Sequence, residues 1–156
     1  MLSSTRLGRL DGRVALVTGA GRGFGRAIAL AFGREGADVP VNYNVSAAGA
    51  KEVVAELEGL GRRAEAVHAD VANGDQVRGM VDRVLARFGR LDILVNNAGI
   101  MTRGQFLDVP IPDYQSMFAI NVTGTFLCTP HALRPMVAAR YLTGQVLQPN
   151  GGWVMA

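Results

Sequence analysis

A single cysteine, Cys128, stands in 156 residues. One thiol excludes an internal disulfide and any multi-cysteine metal site, and a lone cysteine in a helical stretch reads as a small core residue. Lysine is equally scarce: Lys51 is the only one, against 15 arginines. Those arginines are scattered and aromatics make up only 6%, so the net charge of +3 does not describe a nucleic-acid-binding surface. Long apolar runs are missing as well. Residues 114–133 carry no formal charge, yet Gln, Ser, Asn, Thr, Gly and Pro interrupt them too often for a membrane span. The opening MLSSTRLGRLDGR has no apolar centre, which argues against a secretory signal and sets the expectation of a cytoplasmic protein. Serine is absent after Ser116.

What is present suits one globular domain: 49% hydrophobic and 19% charged residues over a length that can bury a core. RVALVTG (13–19) is a short apolar run ending in glycine, as a buried parallel strand does. A helical pattern follows from Gly23 to Glu35 through Ile28, Ala29, Ala31 and Phe32, and Gly36 stops it. ADVPVNYN (37–44) reads as a second strand blemished by Pro40, and Ser46 is placed to cap a helix reaching about Leu60. RRAEAVHADV (62–71) gives a third strand. Residues 73–89 give a third helix with Val77, Met80, Val81, Val84, Leu85 and Phe88 on one face. LDILVNNAG (91–99) is a fourth strand, and residues 113–140 read as a helix kinked or broken at Pro130 and Pro135.

Strands alternating with helices predict an α/β fold with a doubly wound, Rossmann-like parallel sheet. Right-handed crossovers put the four strands in the order 3-2-1-4. The whole chain is read as one dinucleotide-binding domain, with 12–140 as its Rossmann part and 141–156 as a tail.

VTGAGRGFGRAIA places glycines at 19, 21, 23 and 25 between a strand and a helix. The spacing is T-G-x-x-x-G-x-G, with Thr18, Gly19, Gly23 and Gly25. Without Cβ atoms the backbone can approach a pyrophosphate, whose charge is stabilised by free N–H groups at the helix N-terminus.

With NNAG at 96–99, the chain resembles the short-chain dehydrogenases/reductases and is most similar to their 3-oxoacyl-acyl-carrier-protein reductase group. LDGRVALVTGAGRGFGRAIA, HADV, GRLDILVNNAGI and FAINVTGTF carry the resemblance in family order across nearly the whole chain. The resemblance implies that Gly19, Gly21, Gly23 and Gly25 shape the cofactor turn with Phe24 packing beneath the cofactor. Asp70 and Val71 would contact adenine, Asn97, Ala98 and Gly99 would lie along the ribose side, and Asn96 would tie the sheet together. Asn121 matches the family's catalytic-group asparagine, which holds a water of the proton relay. Nicotinamide dinucleotides usually meet Asp or Glu at the end of the second strand when the cofactor is NAD. Here Asn42, Tyr43 and Asn44 stand there and Arg22 precedes Gly23, so NADP is expected over NAD.

The family's reaction uses a Tyr as proton donor, a Lys four residues later to lower the Tyr pKa, and a Ser. Four residues beyond Tyr43, Tyr114 and Tyr141 stand Ala47, Phe118 and Gln145, so there is no Y-x-x-x-K, and no strand-plus-serine follows the Asn121 helix. Of the catalytic group only Asn121 remains. YLTGQVLQPNGGWVMA (141–156) resembles the family's C-terminus, which suggests an internal deletion near Arg140. The expectation is an NADP-dependent carbonyl or 3-oxoacyl reductase by descent, impaired in this chain. The alternatives are a non-catalytic NADP(H)-binding module, or a fragment that pairs with another copy or an intact relative. GQVLQP (144–149) is expected as a fifth strand beside the fourth.

Overall fold

The computed structural model describes residues 8–102 and 104–138. Strands β1 (Ala15–Val17), β2 (Val39–Tyr43), β3 (Ala64–His68) and β4 (Ile93–Val95) form one parallel sheet in the order β3-β2-β1-β4. Helices α1 (Gly23–Arg34), α2 (Ala47–Gly59) and α3 (Gly74–Phe88) make the crossovers. A 3-10 turn at Phe106–Asp108 follows β4. Then α4 (Ile111–Phe118) passes through a π-helical turn (Ala119–Thr123) into α5 (Gly124–Ala138). This is the predicted Rossmann-like arrangement. The strand and tail expected at 144–149 and 141–156 lie outside the described residues.

The apolar run of β1 is continuous because both sheet faces are covered. Val14 and Leu16 enter one cluster with Val77, Met80 and Val84 of α3 and Cys128 and Ala132 of α5. Ala15 and Val17 enter the opposite cluster with Ala29 and Leu30 of α1 and Val53 and Leu57 of α2. Alternate side chains thus fill two cores, each buried Val or Leu contributing about 1.5–3 kcal/mol. On α1 the buried stripe includes Leu30, while Ala31 is exposed and Ile28 and Phe32 are half-buried.

Helix ends follow local chemistry. Asn73 caps α3 by accepting from the N–H groups of Asp75 and Gln76, both at 3.1 Å, and Gly89 ends it at φ 80°. Ser46 occupies the corresponding place before α2, but its side chain makes no capping bond.

Two expectations change. The strands are shorter than the apolar runs because residues beyond Val17 and Val95 turn away into side-chain-bonded loops. Pro130 and Pro135 do not break α5. Each removes one helical N–H, and burial of Cys128, Ala132 and Met136 against α3 holds the helix together. The irregularity lies instead at Ala119–Thr123, around Asn121, where the Thr125 hydroxyl donates to the Asn121 carbonyl at 3.2 Å. No helix among the described residues is long and apolar enough to cross a membrane.

Candidate functional site

Beyond the C-terminal ends of the strands lies a cleft of about 380 Å³. Open α/β sheets place ligands there, where the strand order reverses between β1 and β4. One wall is the glycine turn and the start of α1, with Gly19, Gly21, Arg22, Gly23 and Phe24. The facing walls hold Asp70 and Val71 after β3, and Asn97, Ala98 and Gly99 after β4. With residues 42–46, at and just beyond the end of β2, four distant stretches of sequence meet at one concavity.

The turn requires its glycines for different reasons. Gly19 and Gly23 have φ of 62° and 57°, the left-handed region that side chains strain to adopt. Gly25 sits behind the cleft rather than on its wall. A Cβ there would lie 2.4 Å from Asn97 Nδ2 and 2.5 Å from Gly19 O. No side chain caps α1, and its first N–H bond runs from Arg26 to Arg22 O at 3.2 Å. The N–H groups of Gly23, Phe24 and Gly25 precede that bond and are left for an anion. Arg22 is exposed at the rim and takes part in no ion pair among the described residues.

A buried threonine clasps the two sides. The Thr18 hydroxyl donates to Val95 O at 3.1 Å and accepts the N–H groups of Asn97 and Ala98 at 2.9 and 3.0 Å. The Asn97 amide returns the contact, donating to Thr18 O at 2.8 Å and Gly19 O at 3.3 Å. Asn97 is thus the asparagine that joins β4 to β1. Asn96, expected in that role, donates instead to the Thr129 hydroxyl of α5 at 3.1 Å.

Asp70 accepts the Ala72 N–H at 2.9 Å, and its own N–H donates to Gln76 Oε1 at 2.8 Å. Val71 is buried against α5, where a Cβ on Gly124 would come within 2.7 Å of Val71 Cγ2. The Asn121 amide makes a reciprocal pair of bonds with the backbone of one residue. It accepts from Ile100 N and donates to Ile100 O, both at 2.9 Å. Its side chain therefore fixes the loop that borders the cleft.

Sequence reasoning missed Ser46 and Val45 as cleft residues, and the inward turn of Asn42. The position of 44–46 between a strand end and a helix was the available signal. Two titrating groups lie away from the cleft wall. Burial pushes the Cys128 thiol up to about 11, so it stays neutral at neutral pH. At the other end of the sheet burial would raise Asp92. Hydrogen bonds from Arg90, the Val14 N–H at 2.9 Å and Arg13 outweigh it and hold the carboxyl below its usual range.

The family model described as short chain dehydrogenase matches residues 13–148. The short chain dehydrogenase claC of Passalora fulva is 43% identical over 127 residues, covering 81% of this chain and 48% of that protein. A 3-oxoacyl-[acyl-carrier-protein] reductase of Synechocystis sp. is 48% identical over 120 residues, covering 77% and 49%. A short chain dehydrogenase from Burkholderia cenocepacia, solved in complex with NADP, is 47% identical. It superposes with a TM-score of 0.79 over 82% of this chain and 52% of its own. The chain thus spans about half the length of the relatives it matches.

Proposed function

The chain belongs to the short-chain dehydrogenase family, and we propose that it is the NADP(H)-holding half of a carbonyl reductase of the 3-oxoacyl type, binding the cofactor without turning it over alone. The observation that carries this reading is the start of α1, where the N–H groups of Gly23, Phe24 and Gly25 precede the first helical bond; Gly23 and Phe24 line the cleft beside Arg22, which makes no ion pair among the described residues. A dinucleotide fits these residues. The pyrophosphate would meet the N-terminus of α1, the adenine would lie by Asp70 and Val71, and Asn97, Ala98 and Gly99 would border the ribose. When bound, NADPH supplies a hydride.

The choice of NADP over NAD rests on charge. Arg22 offers a guanidinium to a 2′-phosphate, while Tyr43 and Asn44, at the cleft end of β2, offer no carboxylate to repel it. The Burkholderia cenocepacia relative, which was solved with NADP, supports the same choice.

Proton delivery is what this chain lacks. Its one lysine, Lys51, lies exposed on α2, and no tyrosine has a lysine four residues on. The Asn121 amide bonds to the Ile100 backbone and carries no group that would supply a proton to a carbonyl by itself. The test is NADPH oxidation by the purified chain with a 3-oxoacyl thioester and a panel of ketones. No rate above the uncatalysed background is expected; turnover that disappears on Asn121→Ala would overturn the non-catalytic reading.

A second reading concerns partners. Ile111, Tyr114, Phe118, Val122 and Phe126 recur every three or four residues through α4 into α5, and all are exposed. This stripe favours association with another copy or with a longer relative. Sedimentation of the chain alone and mixed with such a relative should show a heavier species; a monomer under both conditions rules the reading out.

A further inference from the structure

Asn42 sits where a cofactor-contacting side chain is expected at the end of β2, yet it is 1% exposed. Its side chain points into the sheet and uses both ends. Oδ1 accepts the Gly19 N–H at 3.1 Å, and Nδ2 donates to Val67 O at 3.2 Å and Ala69 O at 3.1 Å. Its main-chain carbonyl accepts the Ala20 N–H at 2.8 Å. One residue thereby pins the first two residues of the glycine turn, and it ties them to the end of β3 just before Asp70.

The need for such a pin follows from Pro40. Val39 donates to Arg63 O on the β3 side, so the N–H of the next residue would face β1, and proline has none. The β1–β2 ladder is correspondingly thin, with Val17 opposite Val41 as its single registered pair and an isolated bridge between Val14 and Asp38. Beyond that pair, the bonds of Asn42 are what hold the turn against β2.

We infer that Asn42 is a positioning residue for the pyrophosphate turn. It sets the direction of the Gly19 and Ala20 N–H groups, and so the height at which the N-terminus of α1 is presented to the cofactor. The inference rests on the cofactor reading above. Its seat calls for an amide. Aspartate would keep an acceptor for Gly19 but set a second acceptor against the carbonyls of Val67 and Ala69. An acid at position 42 therefore spoils the turn instead of recruiting a ribose hydroxyl. A change of preference toward NAD must be sought at Tyr43 or Asn44, which line the cleft.

The experiment compares the wild-type chain with Asn42→Ala and Asn42→Asp, using calorimetric titration with NADP+ and with adenosine 2′-monophosphate, and amide exchange at Gly19. Both variants should lose roughly tenfold in NADP+ affinity, the scale of one well-made hydrogen bond. Affinity for the monophosphate, which carries no pyrophosphate, should stay within about twofold, a split that a general loosening of the pocket would not give. The Gly19 amide should exchange at least about tenfold faster in the alanine variant. Unchanged NADP+ affinity and Gly19 exchange overturn the inference, and so does an equal loss for both ligands. If the wild-type chain binds neither ligand, the cofactor reading is what fails, and Gly19 exchange alone decides whether Asn42 holds the turn. Asn42→Ser, small enough for the same seat, carries both readouts if the alanine variant does not fold.

Discussion

Adding one methyl group at Gly25 should separate the demands of the cofactor turn from ordinary glycine economy. In Gly25→Ala the new Cβ would lie 2.5 Å from Gly19 O and 2.9 Å from Ala20 Cα, both backbone atoms of the turn. It would also lie 2.4 Å from Asn97 Nδ2, an amide already held by Thr18 O at 2.8 Å. Restoring an ordinary 3.4 Å contact with Gly19 O moves α1 by about 0.9 Å away from the turn. Overpacking of this kind costs about 1–3 kcal/mol. The same shift withdraws the N–H groups of Phe24 and Gly25 from the anion position, so NADP+ affinity should fall at least about tenfold, or about 1.4 kcal/mol. Gly79→Ala is the control. It lies in the middle of α3 with nothing within 4 Å of a new Cβ, and the exchange should stabilise by about 0.5–1 kcal/mol. Urea unfolding of both variants and calorimetric titration of Gly25→Ala with NADP+ provide the readouts. Wild-type stability and affinity in Gly25→Ala would refute the reasoning, as would equal destabilisation by both substitutions.

Arg22→Ala should cost NADP+ about 1.5–3 kcal/mol of affinity, the scale of a hydrogen bond to a charged group, and leave NAD+ within about twofold. Calorimetry with the two cofactors checks it, and equal losses would remove Arg22 from 2′-phosphate recognition. Asp92→Asn should destabilise the chain at pH 7. Because the folded-state pKa of Asp92 is held below 3.8, its stabilisation is complete above the unfolded-state pKa and is lost as pH falls through the folded value. The stability gap between variant and wild type, followed by urea unfolding from pH 7 to pH 3, should therefore narrow below about pH 4. Cys128, with its thiol buried and raised to about 11, should resist iodoacetamide at pH 8 and react at the rate of unfolding once urea is added. Prompt labelling of the native chain would contradict the packing of α5 on α3.

Much of this was legible before any coordinate. Period and punctuation located the four strands among the described residues and the first three helices, since β1 and β4 are short apolar runs and Gly36 and Gly89 stop their helices with positive φ. The glycine turn was readable because only close approach and left-handed backbone explain that spacing. What stayed hidden were partners set by long-range contact. Nothing local tells Asn96 from Asn97, yet one reaches Thr129 and the other Thr18. Asn42 does line the cleft at its strand end, but its amide is spent on backbone groups, among them carbonyls 25 and 27 residues away. The two prolines of α5 suggested a break because propensity counts only the lost N–H, while the buried face against α3 decides the outcome.

The most direct test of the account is a calorimetric titration of the 156-residue chain with NADP+ beside NAD+. Saturable binding of NADP+, at least about tenfold tighter than NAD+, is the predicted result. No heat of binding for either cofactor up to millimolar concentration would contradict the claim that this cleft holds a nicotinamide dinucleotide.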